Sequence, residues 1–137
     1  MANIAPTVIN LNDVVLTIGS DNYELSVSKV ELVPTTPTIT WRGMSPAATY
    51  NVAGSPTWVL NLDFAQDFAT ANSLSNYTFA NQGSIKTVTF KPKKGTSVTQ
   101  FSIDVLIVAT TIGGSVDTAA TASASFTCNG QPTKTTV

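Results

Sequence analysis

Apolar and polar residues alternate along this chain in short runs. Trp58, Leu60, Leu62 and Phe64 point one way while Val59, Asn61 and Asp63 point the other, the period-two pattern of a strand with one face in a core. Val14, Leu16 and Ile18 repeat it ahead of the turn residues Gly19 to Asn22. Tyr23, Leu25 and Val27 then keep odd register, and Val30 and Leu32 continue in even register. That change of phase predicts a bulge or bend near Ser28, because otherwise the second half would turn its apolar face to water. Ile39 and Trp41 mark a short strand ending at Arg42, followed by a loop-like stretch to Pro56. Val88 and Phe90 share a face with threonines behind them, and Phe101, Ile103, Val105 and Ile107 alternate against Ser102, Asp104, Leu106 and Val108. This last run is apolar on both faces toward its end, as expected of a central strand or one covered by a partner. Ala122, Ala124, Phe126 and Cys128 close the series.

Seven or eight short strands with turn residues between them predict a mainly β fold, an antiparallel sandwich or barrel. One segment breaks the pattern. Ser73 can cap a helix in which Leu74 and Tyr77 share a face, and Gly83 lies just past its end, so a short helix is expected over Ser73–Asn81. At 137 residues the chain is expected to form one domain spanning 1–137, with residues 131–137 as a Thr-rich tail that frays. Residues 33–56, rich in Pro, Thr and Ala, suit either an arm that orders on docking or a plain hairpin loop.

Composition sharpens the picture. Only 11% of residues are charged, against roughly 25% in average soluble domains, and 22 are threonine. A weakly charged, Thr-rich surface is inexpensive to bury against another subunit, which leaves assembly and a neutral monomer equally open. The net charge of -1 gives no bulk attraction to nucleic acid or an anionic membrane. Yet the two halves differ in sign. Up to Asp67, six acids face Lys29 and Arg42; beyond it, five lysines face Asp104 and Asp117. Such asymmetry would let one end of a subunit attract its neighbour in a head-to-tail assembly, although scatter of so few charges also accounts for it. The opening residues lack the basic start and apolar core of a secretory signal, and the longest apolar run, Val105–Ala109, is far too short to span a bilayer. The chain is expected to stay soluble in the cytoplasm where it is made, or to leave by a route the sequence does not encode. Asn76-Tyr77-Thr78 matches a glycosylation sequon and carries no weight without such a signal.

Catalytic chemistry finds little to work with. The chain has no histidine, which removes the usual general base, the usual zinc ligand and the common nucleophile arrangements. Asp63 and Asp67 are the nearest carboxylate pair, but surface and capping roles fit them better than catalysis. Gly113-Gly114 is followed by no lysine, so it reads as a turn rather than a phosphate loop. The lysines of Lys91–Gly95 have no interleaved aromatics and fit a solvated hairpin turn. Trp41 and Trp58 fit core alternation, and Cys128 a buried small apolar position. The expectation is therefore no catalytic residue, no metal ligand, no cofactor and no enzyme.

Several stretches, taken together and in order, do resemble a known family. They are Trp41–Gly43, Ala65–Asp67, Ser73–Tyr77 and Ile112–Ala119, within Thr38–Thr133. This succession resembles the major tail proteins, or tail tube proteins, of long-tailed phages, particularly those infecting actinobacteria. The resemblance implies a β-sandwich with one helix whose copies form hexameric rings, stacked head to tail into the tube that delivers the genome. It implies a structural virion protein assembled in the host cytoplasm, partnered by itself and by tape measure, tail terminator and distal tail proteins, in a non-contractile tail. The N-terminal segment and residues 33–56 would be inter-subunit arms. The lumen should bind passing DNA poorly, so Thr, Ser and acids rather than lysines are expected to line it. A second reading from a different class is a monomeric immunoglobulin-like adhesion or decoration module on a virion or cell surface.

Overall fold

A computed structural model describes residues 1–136. Among them are nine strands and one helix: β1 (Val15–Ile18), β2 (Asp21–Asn22), β3 (Val27–Thr35), β4 (Thr38–Arg42), β5 (Thr49–Ala53), β6 (Thr57–Ala65), α1 (Leu74–Ala80), β7 (Ile85–Lys91), β8 (Thr99–Leu106) and β9 (Thr121–Thr136). Seven strands form one sheet in the order β2-β1-β7-β8-β9-β6-β3, with every neighbour antiparallel, while β4 and β5 pair only with each other. The fold is therefore mainly β and antiparallel with one short helix, as the alternation predicts.

The inward side chains explain how one sheet makes a core. Leu16 and Ile18 lie near one edge and Leu60, Leu62 and Phe64 near the other, yet all are buried in one cluster with Val88, Val105 and Phe126. A helix of seven residues is too small to cover such a face. The sheet must instead curl until its two halves cover each other, giving a sandwich-like, barrel-like shape. β8 runs through the centre, between β7 and β9, as its two-sided apolar end predicts.

Local details follow the sequence with instructive exceptions. The register steps from Val27 opposite Phe64 to Lys29 opposite Asp63, a bulge at Ser28, and beyond it Val30 and Leu32 pack inward. Leu25 departs from expectation: Tyr23–Ser26 is a turn closed by a hydrogen bond from Ser26 N to Tyr23 O, and Leu25 is fully exposed at its apex. The stretch to Pro56 is more than a loop, because β5 returns alongside β4 as a hairpin. Trp41 lies on that hairpin and is exposed, so it is not a core residue. The expected frayed tail is also corrected, since Thr133–Thr136 pair with Thr99–Ser102; residue 137 lies outside the described residues. Gly130, at φ +80°, begins a bulge in which Gly130 to Pro132 oppose Ile103 alone, so β9 bends and carries on.

The helix begins at Ser73, whose Oγ accepts from Asn76 N at 3.4 Å, and ends at Asn81, whose N–H donates to Tyr77 O. Leu74 and Tyr77 pack on the core, as predicted. Gly83, past the end of the helix, holds the left-handed backbone expected there, at φ +80°, and donates to Ile107 O at 2.8 Å.

Strand directions give the molecule two unlike ends. One is capped by α1, the Tyr23–Ser26 turn and the loop from Ile107 to Ala120. Gln66 pins that loop, its Nε2 donating to Gly113 O and Thr121 O and its Oε1 accepting from Gly113 N, each at 2.8 Å. The other end is open. It carries residues 1–14, the Lys91–Gly95 turn, the β4–β5 hairpin and the end of β9.

Candidate functional site

The carboxylates considered from sequence do not form a pair facing a cleft. Asp63 sits on the outer sheet face and accepts from Ser123 Oγ at 2.7 Å. Asp67 lies beyond the end of β6, where its Oδ1 accepts from Ala69 N at 2.9 Å and Thr70 N at 3.2 Å, and its main-chain oxygen accepts from Ser73 Oγ. Hydrogen bonds from Thr70, side chain and backbone, and then from Ala69 hold its carboxyl below the usual carboxylate range. Asp67 is thus a turn-forming residue. Cys128 is buried, as expected, and burial pushes its thiol up, away from the reactive thiolate. Among the described residues no three His, Cys, Asp or Glu side chains gather as a metal site requires, and no helix is long and apolar enough to cross a membrane.

What the surface offers instead is unpartnered area. Every residue of β4 and β5 is exposed, so this ribbon stands clear of the sheet. Cross-strand pairing puts Ile39 opposite Val52 and Trp41 opposite Tyr50 on one side, with Thr40, Asn51, Arg42 and Thr49 on the other. The four apolar side chains are 58–62% exposed, and the Trp41 and Tyr50 rings lie 5.8 Å apart. A lone two-stranded hairpin is marginal in water, and a bare apolar face on one needs something to lie against.

Below the hairpin root, the open end of the barrel holds a cleft of about 450 Å³. Leu32, Trp58, Phe90, Phe101, Pro132 and Lys134 line it. Trp58 belongs to the inward face of β6, as predicted, but its Nε1 is buried without a hydrogen-bond partner. A buried donor left unmatched costs about 1–3 kcal/mol.

Charge sorts by end as well. Arg42, Lys91, Lys93, Lys94 and Lys134 lie at the open end with one acid, Asp13; Asp21, Asp67 and Asp117 lie at the capped end with Lys86, and Glu24 reaches back to Leu16 N on β1 between them. The opposite signs of the two sequence halves thus become opposite signs at the two ends of the fold. Between them, the outer sheet face is hydroxyl- and acid-rich. Ser125 Oγ donates to Asn61 Oδ1 at 2.8 Å, Asn61 Nδ2 to Glu31 Oε1 at 3.2 Å, and Thr87 Oγ1 to Asp104 Oδ1 at 2.7 Å. On this face Lys29 is drawn to Glu31, 3.3 Å away. Sequence reasoning missed the cleft and the exposed Leu25; an apolar residue just before the phase change at Ser28 was the available signal.

No protein-family model matches the chain, and no curated protein matches it. The class that the fold defines is an antiparallel β protein with one short helix.

Proposed function

We propose that this chain is a structural subunit that assembles with itself, head to tail, into stacked rings forming a phage tail tube. The observation that carries the reading is the β4–β5 hairpin, an amphipathic ribbon with no partner within its own fold. Two further features support it. Opposite charge at the two ends suits a heterologous contact, which repeats without closing and builds a filament. The β3 edge leaves nine residues of backbone free on one side, available to continue the sheet into a neighbouring subunit around a ring. In such a ring the face bearing Thr87, Asp104, Ser123, Ser125 and Asp63 would line the bore, where hydroxyls and acids repel or ignore the DNA backbone. Lys91, Lys93 and Lys94 would sit at the ring-to-ring contact.

Negative-stain electron microscopy of the concentrated protein, with sedimentation, tests this reading. Hollow tubes with a regular ring repeat are expected. A strictly monomeric protein at all concentrations would favour the decoration module instead.

A further inference from the structure

We propose that the Tyr23–Ser26 turn of one copy is the plug that fills the Trp58 cleft of the next, Leu25 entering as the apolar knob. This rests on the head-to-tail reading and specifies the residues that make the contact.

The turn is built as a projecting knob. Leu25 is 100% exposed at its apex, a place where Gly, Asn or Asp is ordinary and a leucine has no local reason to be. The turn is also rigid. Tyr23 is buried, its hydroxyl donates to Asn72 O at 3.1 Å, its ring packs on Tyr77 at 5.8 Å, and Ser26 O accepts from Ala65 N. A pre-ordered knob loses little conformational freedom on docking.

The cleft is its complement in shape and charge. Its volume of about 450 Å³ has room for a leucine side chain, and Leu32, Phe90 and Phe101 give it apolar walls. Asp21 and Glu24 flank Leu25, whereas Lys134 lines the cleft and Lys91, Lys93 and Lys94 stand near it. Leu25 stands fully in solvent just before Val27, the end of β3 away from the Pro34–Trp58 pair, so the knob does not fill the cleft of its own chain. A second copy supplies both halves of the match.

The test pairs a Leu25→Cys chain with a Pro132→Cys chain, each also carrying Cys128→Ala, and oxidises the mixture with copper phenanthroline. A disulfide-linked pair joining positions 25 and 132 is expected, and a Ser115→Cys chain, its cysteine on the capped-end loop, in place of Pro132→Cys should give little product. Separately, Leu25→Asp should keep the circular dichroism of the parent and weaken association about 10- to 100-fold, the loss of one buried leucine. Tubes that form without the 25–132 link, or Leu25→Asp chains that associate like the parent, overturn the plug and leave the tube reading standing. A chain that stays monomeric and gives no linked pair overturns both.

Discussion

Gly19 and Gly130 both hold left-handed backbone, at φ +65° and +80°, but their surroundings differ. A Cβ on Gly19 would lie 2.8 Å from the Tyr77 hydroxyl, whereas one on Gly130 would meet nothing within 4 Å. Gly130→Ala should therefore lower stability by about 1–2 kcal/mol from backbone strain alone. Gly19→Ala should lower it further, because the Tyr77 ring must also move from its place against Tyr23; urea midpoints of the two variants will rank them. Tyr23 makes a second prediction at this scale. Burial first, and then the charge of Asp21, push its phenol up to about 12 from 10. Its folded-state value is raised, so the stability it contributes is complete below pH 10 and is lost as pH rises through about 12. Tyr23→Phe should weaken the protein near neutrality by about 0.5–1.5 kcal/mol, through the lost bond to Asn72, while flattening the alkaline decline. Urea titrations between neutral and strongly alkaline pH read both effects.

Among the elements, β6 and the β4–β5 ribbon show what burial does to similar alternating sequences. Leu62 on β6 is fully buried, so Leu62→Ala should cost about 2–5 kcal/mol. Trp41 on β4 is 62% exposed, so Trp41→Ser should change monomer stability by less than about 0.5 kcal/mol and yet impair assembly. The ribbon can also be removed as a unit, since Gly54 N already donates to Pro37 O at 2.7 Å across its root. Deleting residues 38–53 and joining Pro37 to Gly54 should leave a folded barrel that sediments as a monomer. The strands with an inward-facing alternation, the bulge at Ser28 and the helix capped by Ser73 were legible in the sequence, because each depends on period, phase or a cap within a few residues, whereas β2 and β5 read as turn and loop. Trp41 was not. Its neighbours alternate like a core strand, and only the absence of any partner beyond its own hairpin distinguishes it. The Thr-rich end of the chain misled for the related reason that nothing local announced the β8 edge waiting for it.

For the whole molecule, the proposed head-to-tail contact between ends of opposite charge would make association depend on salt. Raising ionic strength from about 0.05 to 0.5 M shortens the screening length several-fold, so sedimentation should show weaker self-association at high salt, with the fold unchanged. Reversing Lys93 and Lys94 to Glu should weaken it in low salt and have little effect in high salt. By itself the sequence determined the strand-rich class, the inward face of most strands, the helix and the lack of a histidine-based site, because these follow from composition and from patterns a few residues long. Only the tertiary structure decided that one sheet curls to cover itself, that scattered acids and lysines collect at opposite ends, and that Leu25 projects while the Trp58 cleft stands open. Those features depend on which strand ends meet across dozens of residues, and no local period encodes that.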